Sequence, residues 1–201
     1  ILKSGKRSRR KLLQMQYICP SCVENKGGIW MKDVFLVYDK SCFYEIVILN
    51  YFMSFSNCDM VFCSLDGKPV RTMEGFSVNV DMPLETLEKD QIRSFILPGG
   101  NIAEIDTPEV KSYLQALMKR EILIAGICAG VDVLDHAGIL CDVKSTHSSD
   151  EDWVTDKNVI TARANAYVDF AVEVAKKLDL FVSEDDLQET INFWKYYQRV
   201  Q

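Results

Sequence analysis

The five residues from Gly126 to Gly130 have the types and spacing that place a reactive thiol at a sharp turn, with Cys128 in the middle. The apolar run Ile122–Ala125 before them is typical of a buried strand, and apolar residues at helical spacing follow them directly. Glycines two residues before and after a nucleophile let a strand turn into a helix so tightly that the middle side chain projects above the sheet. We therefore predict that Cys128 occupies a nucleophile elbow, with Gly126 and Gly130 as its structural glycines.

The predicted position of Cys128 also predicts its reactivity. Free N–H groups and the dipole at a helix N-terminus favour a thiolate, so we expect the pKa of Cys128 to be lowered. The alternative is that Cys128 is an inert buried cysteine of an α/β core.

Two further features are expected to meet Cys128, because the carboxyl ends of parallel strands lie at one edge of a sheet. Gly99 and Gly100 follow a predicted strand, and the N–H groups of Gly100 and Ala129 could form an oxyanion hole. The alternative for the two glycines is a plain turn. Glu45 opens an apolar helix after the first strand, where its carboxyl could cap the helix or share a hydrogen bond with the thiol.

Strands and helices alternate along the chain. Strands are predicted at Asp33–Tyr38, Asp59–Ser64, Ser94–Leu97, Ile122–Ala125 and Val159–Ala162, with short extended pieces near Val70–Arg71 and Phe76–Val80. Helices are predicted at Phe43–Phe55, Pro108–Lys119, Ala129–His136, Tyr167–Leu178 and Glu184–Gln198. This alternation predicts a flavodoxin-like or Rossmann-like α/β sandwich, in which a mostly parallel sheet carries helices on both faces.

Charge separates the first 30 residues from the rest of the chain. Seven of the 23 basic residues and one of the 29 acidic residues lie in residues 1–30, which gives this segment a net charge of +6 and leaves −12 for residues 31–201. We interpret residues 1–30 as a basic extension outside the core, or as non-native sequence, and residues 31–201 as one α/β domain. The extension contains Cys19 and Cys22, a C-x-x-C pair without the second ligand pair that a structural zinc site needs.

Composition narrows the class of protein. The acidic body argues against nucleic-acid binding by the core, and no apolar run is long enough to span a membrane. Seven cysteines, most of them in apolar stretches, favour reduced thiols in the cytoplasm over a disulfide framework.

Several motifs together resemble the ThiJ/PfpI superfamily over residues 31–180, and in particular its deglycase-like branch. They are Tyr44-Glu45, Asp66-Gly67-Lys68-Pro69-Val70, Glu74-Gly75, Leu97-Pro98-Gly99-Gly100, the elbow sequence and Ser145-Thr146-His147. The resemblance implies that Cys128 is the reactive cysteine, that Glu45 is the acid bonded to it, and that Gly100 and Ala129 are oxyanion-hole donors. It also implies that His147 is a site residue, although the alternative for His147 is a half-buried polar residue without a role.

The resemblance implies a homodimer and a cofactor-independent enzyme without a metal, a glyoxalase or deglycase that acts on small reactive carbonyls such as methylglyoxal. A redox-sensing or chaperone-like protective protein that uses the same oxidisable cysteine is the alternative. Peptidase activity loses support because Ala129, not histidine, follows the cysteine. Isonitrile hydration loses support because Glu45 and Ala129 replace the Asp and Thr of those relatives.

Overall fold

The computed structural model describes residues 31–199. Within them, nine strands are β1 Lys32–Leu36, β2 Asp59–Ser64, β3 Val70–Arg71, β4 Ser77–Val78, β5 Met82–Pro83, β6 Ile92–Leu97, β7 Leu123–Ile127, β8 Trp153–Asp156 and β9 Val159–Ala162. Five α-helices in the same range are α1 Tyr44–Phe55, α2 Pro108–Met118, α3 Ala129–His136, α4 Tyr167–Lys177 and α5 Glu184–Trp194. The predicted extension at residues 1–30 lies outside the described residues.

Seven strands form one sheet in the order β5-β2-β1-β6-β7-β9-β8, while β3 and β4 form a separate antiparallel pair. All neighbours in the large sheet are parallel except β8, which pairs antiparallel with β9 at one edge. The α/β fold class with a mostly parallel sheet is therefore confirmed. The order places β1, β6 and β7 side by side at the centre, so the segments that follow these three strands meet at one edge.

Alternation along the strands supplies two cores. In β1, Val34 and Leu36 belong to the core beneath α2 and α3, whereas Phe35 belongs to the core beneath α1 and α4. All three side chains are fully buried. Successive side chains of a strand point to opposite faces of its sheet, so a central strand covered on both faces must be apolar at nearly every position.

Three elements differ from the prediction. The strands β5 and β8 were not predicted, and the last helix ends at Trp194 rather than Gln198. Beyond that helix, Lys195 Nζ lies 2.5 Å from Asp169 Oδ1 on α4, and Tyr197 has a φ of +56°. A positive φ ends a right-handed helix, so the chain turns away there.

No helix among residues 31–199 combines the length and the apolar character that crossing a membrane requires.

Candidate active site

Cys128 lies at the turn from β7 to α3, in a backbone conformation that non-glycine residues rarely adopt. Its φ is +55° and its ψ is −130°. Such a conformation costs on the order of 1–3 kcal/mol and persists only where the surrounding structure enforces it. Here Cys128 N donates to Ala162 O at 2.9 Å, and Cys128 O accepts from Val131 N at 3.0 Å. These hydrogen bonds keep the strained residue in place, and its thiol lies half-buried at the carboxyl end of the sheet.

Both elbow glycines stand where a side chain would collide with a neighbour. A Cβ added at Gly130 would lie 2.4 Å from Leu97 O, a backbone atom at the end of β6. A Cβ added at Gly126 would lie 2.7 Å from Leu134 Cδ1, the flexible end of a side chain on α3. Gly130 thus lets α3 approach the end of β6, and Gly126 makes room for α3 to pack on β7.

Glu45 brings a buried carboxyl to the thiol. It lies in the first turn of α1, is 1% exposed, and its Oε2 accepts a 2.7 Å hydrogen bond from Gly99 N. Its Oε1 is buried and, among residues 31–199, has no partner with full hydrogen-bond geometry, while the side chains of Cys128 and Tyr44 lie close enough to stabilise the carboxylate and lower its pKa. Buried polar atoms are rarely left unpaired, so this oxygen is available for a proton or for a reacting group.

The pKa values of the two acids are coupled. Burial raises the pKa of Glu45, partly offset by the hydrogen bond from Gly99 N. Burial also raises the pKa of Cys128, and the negative charge of Glu45 raises it further, whereas the Ala129 N–H lowers it. The expected lowering of the Cys128 pKa is therefore wrong: the helix N-terminus contributes, but burial and a neighbouring carboxylate outweigh it. Because a negative charge on one acid disfavours a negative charge on the other, the two acids titrate as a pair.

The backbone around Gly100 fits the proposed oxyanion hole. Ser41 and Gly100 form an isolated antiparallel bridge through the amides on either side of them, Cys42 N to Gly99 O at 2.8 Å and Asn101 N to Lys40 O at 3.1 Å. This pattern does not use the Gly100 N–H, and no acceptor for it is found among residues 31–199. The Gly99 N–H, by contrast, is already bonded to Glu45. Gly100 and Ala129 stay the predicted donors.

His147 has partners other than the thiol. Its Nε2 lies 3.2 Å from Asp132 Oδ1 and its Nδ1 lies 3.2 Å from Asp135 Oδ2, both on α3. The structure gives no direct contact between His147 and Cys128 within the described residues. These contacts hold the loop that follows α3 against that helix, and a catalytic role for His147 remains a prediction.

Two side chains near the thiol were not predicted as site residues. Cys42 lies three residues before Glu45, in the loop that precedes α1, and its thiol interacts electrostatically with both Glu45 and Cys128. The Tyr38 hydroxyl shares its proton between Gly99 O at 2.8 Å and Pro98 O at 2.9 Å, and so holds the glycine turn in place. The position of Cys42 in the loop after a central strand was a usable signal, because such loops meet at the carboxyl edge of the sheet.

Within residues 31–199, the His, Cys, Asp and Glu side chains form no cluster of three or more that could hold a metal ion. An apolar recess of about 230 Å³ opens at the start of α1, and Glu45 is not one of its lining residues. It is lined by Phe43, Tyr44, Val47, Ile48, Phe76 and Tyr167.

A strained cysteine elbow and a buried glutamate at the carboxyl edge of a parallel sheet define a class of α/β proteins, and comparison identifies the family. Residues 31–177 match the DJ-1/PfpI family, and the chain belongs to it. This confirms the ThiJ/PfpI resemblance of the sequence motifs.

Relatives of the chain carry different names. It is 31% identical over 153 residues to the uncharacterized protease YoaZ of Bacillus subtilis, a match that covers 66% of this chain and 70% of the relative. It is 33% identical over 76 residues to the deglycase TK1284 of Thermococcus kodakarensis, a match that covers 36% of this chain and 45% of the relative.

Among solved structures, the DJ-1 superfamily protein Atu0886 of Agrobacterium tumefaciens superimposes with a TM-score of 0.75 at 25% identity, over 84% of this chain and all of that protein. A thiJ/pfpI family protein of Bacillus anthracis gives a TM-score of 0.74 at 22% identity, over 84% of this chain and 92% of that protein. The second likeness shows the fold alone.

The coupled pKa values give a first testable prediction, on the rate at which iodoacetamide alkylates Cys128 at each pH. Glu45→Gln removes the negative charge and supplies an amide group that can donate a hydrogen bond to the thiolate, so the pKa of Cys128 should fall and alkylation near pH 8 should be faster than in the wild type. Glu45→Leu keeps the site buried without a donor, so its Cys128 should react more slowly than that of Glu45→Gln. Cys141, exposed and outside the site, serves as the internal control. Equal profiles for Cys128 in all three proteins would show that Glu45 only caps α1.

Proposed function

We propose that this protein is a cofactor-independent glyoxalase or deglycase that acts on small reactive carbonyls such as methylglyoxal. The observation that carries the proposal is the buried carboxyl of Glu45, held by Gly99 N with its second oxygen unpaired beside the Cys128 thiol. A nucleophile next to a general acid/base is what an internal redox isomerisation of a ketoaldehyde needs.

The reaction begins with transfer of the Cys128 thiol proton. Glu45 accepts the thiol proton as Cys128 Sγ attacks the aldehyde carbon of methylglyoxal, and the product is a hemithioacetal. The N–H groups of Gly100 and Ala129 stabilise the negative charge that develops on the aldehyde oxygen. Because the pKa of Glu45 is raised, its carboxyl can hold the proton at this stage.

The same carboxyl then moves protons between the two carbons. Glu45 first returns the thiol proton to the hemithioacetal oxygen and is again a carboxylate. It then carries the proton from the former aldehyde carbon to the ketone oxygen, which gives an enediol. The enediol takes up a proton at the second carbon and loses one from the first oxygen, which gives a lactoyl thioester on Cys128. Water hydrolyses the thioester to lactate and frees the thiol. No electrons leave the substrate, because oxidation of one carbon balances reduction of the other.

Peptidase activity is disfavoured, although one relative bears the name of a protease. Residue 129 is alanine, and the two histidines of the chain lie against aspartates: His136 Nδ1 is 3.0 Å from Asp106 Oδ2, and His147 bridges two residues of α3. A Cys-His nucleophile–base pair is thus lacking among the described residues. A redox-protective role that uses the same thiol remains a proposal. A homodimer of this fold also remains a proposal.

The test of this function is lactate formation from methylglyoxal by the purified protein, with a chelator present and glutathione absent. We expect saturable lactate formation that Glu45→Gln and Glu45→Leu both lose, by on the order of 10²–10⁴-fold, because each lacks the proton shuttle. A wild-type protein that forms no lactate above the protein-free control would refute the proposal. Casein cleavage in place of lactate formation would favour the peptidase.

A further inference from the structure

Cys128 has a second thiol in its immediate surroundings. Cys42, in the loop between β1 and α1, donates its backbone N–H to Gly99 O at 2.8 Å. A Cβ added at Gly99 would lie 2.6 Å from Cys128 Cβ and 2.9 Å from Cys128 Sγ, and one added at Gly100 would lie 3.0 Å from Cys42 N. The Gly99–Gly100 turn therefore carries no side chains. It lies against the side chain of Cys128 and against the backbone N–H of Cys42.

The remaining cysteines of residues 31–199 are placed differently. Cys58 Sγ lies 3.1 Å from Arg93 Nη2, near the opposite end of the strands, and Cys63 is fully buried in β2. Cys141 is exposed beyond α3. Cys42 is half-buried, and the charge of Cys128 acts on its thiol.

We propose that Cys42 is a resolving thiol, and that Cys42 and Cys128 form a disulfide when a peroxide oxidises Cys128. This gives the site a second activity, the reduction of peroxides by thiols. It uses the position of Cys128 but does not rest on carbonyl turnover.

The chemistry balances in two steps. Cys128 passes its thiol proton to Glu45 and attacks one oxygen of a hydroperoxide, and the O–O bond breaks. The proton returns to the leaving oxygen, so the products are a sulfenic acid and an alcohol or water. Cys42 Sγ then attacks the sulfenic sulfur, the S–O bond breaks, and the hydroxyl leaves as water with the proton from Cys42. An external dithiol reduces the disulfide and restores both thiols.

Glu45 suits the second step because its carboxylate acts on both thiols. Burial and the negative charges around it raise the pKa of Cys42 to about 11, so Cys42 carries its proton at neutral pH and must lose it as it attacks. The charge of Glu45 affects the Cys42 thiol more than the charge of Cys128 or Glu74 does. We therefore assign the Glu45 carboxylate as the group that accepts this proton.

The geometry of closure is local. A disulfide needs Cα atoms roughly 4.4–6.8 Å apart. Cys42 lies in the loop between β1 and α1, two residues after Lys40, which has a φ of +64°. We expect this loop to move when the bond closes, while the elbow keeps Cys128 fixed.

The test is a titration of the reduced full-length protein with hydrogen peroxide, followed by alkylation of free thiols and peptide mapping without reductant. All proteins carry Cys19→Ser and Cys22→Ser, so that the C-x-x-C pair cannot contribute. Trypsin with chymotrypsin cleaves after Lys40 and Phe43 and separates Cys42 from Cys58. Cys42→Ser, Cys42→Ala and Cys128→Ser are compared with Cys141→Ser as the control.

With both cysteines present, we expect the loss of two hydrogens, a linked peptide pair that contains Cys42 and Cys128, and full reversal by dithiothreitol. Without Cys42, Cys128 should gain two oxygens as a sulfinate that dithiothreitol does not reverse. Without Cys128, Cys42 should stay fully alkylatable. The proposal is overturned if Cys128 gains oxygens while Cys42 stays free in the protein that has both, or if peroxide leaves Cys128 unmodified. The test measures only the masses of peptides that contain Cys42 and Cys128. It therefore stays valid even if the protein does not convert methylglyoxal.

Discussion

Replacing Cys128 with alanine is expected to abolish lactate formation from methylglyoxal and to leave the melting temperature at or above that of the wild type. The variant removes the nucleophile on which the proposed hemithioacetal forms. Cys128 is only half-buried and has a strained backbone, so the shorter alanine side chain gives up little packing at this position. Thermal unfolding and lactate assays on the same preparation check both parts.

Cys63→Ala is the matched control for the loss of a sulfur atom. Cys63 is fully buried in β2 and takes no part in the proposed chemistry. Its removal leaves a cavity, so we expect a loss of about 0.5–3 kcal/mol in the free energy of unfolding, with activity retained per folded molecule. If Cys128→Ala melts well below the wild type and Cys63→Ala does not, Cys128 is a packing residue and the account of the site is wrong.

Replacing Gly130 with valine is expected to damage both stability and function. The first atom of any side chain at this position meets the backbone oxygens Leu97 O at 2.4 Å and Pro98 O at 2.9 Å. Backbone atoms at the end of β6 cannot rotate away, so α3 must shift and carry Cys128 with it. Overpacking of this kind costs on the order of 1–3 kcal/mol, which lowers the melting temperature of a chain of this size by about 2–12 °C.

A smaller substitution at the same position, Gly130→Ala, has Gly126→Ala as its matched control. Both substitutions add one methyl group at the elbow, but the methyl at residue 126 meets the flexible end of Leu134, which has room to adjust its rotamer. We expect Gly130→Ala to lower the melting temperature more than Gly126→Ala. The reverse order would show that α3 packs against β6 less tightly than the structure indicates.

The parts of the fold that could be predicted are those with a local signal. The glycine spacing around Cys128 specifies the strand–turn–helix, and α3 begins and ends at the predicted residues. The edge strand β8 was missed because its four residues, which include Thr155 and Asp156, give no strong pattern, and pairing with β9 is what makes them a strand. Strand pairing depends on partners distant in sequence, and a short window does not contain them.

The candidate active site likewise has features that the sequence could predict and features that it could not. That Glu45 and Cys128 meet could be predicted, since both follow central strands of a parallel sheet. The sign of the Cys128 pKa shift could not be, because the helix N-terminus is visible in the sequence whereas the depth of burial and the charge beside the thiol are not. The partners of His147 also depend on how the loop folds back onto α3.

The most direct test of the central claim, that Cys128 attacks the carbonyl and Glu45 moves the proton, is native mass spectrometry of intact Glu45→Gln directly after rapid mixing with methylglyoxal, because a hemithioacetal dissociates during digestion. This variant keeps the nucleophile and lacks the shuttle, so one methylglyoxal adduct that depends on Cys128 should accumulate, with lactate absent. Cys128→Ser, treated identically, should lack this adduct. An unmodified Cys128 in Glu45→Gln, or lactate formed by that variant at the wild-type rate, would contradict the account.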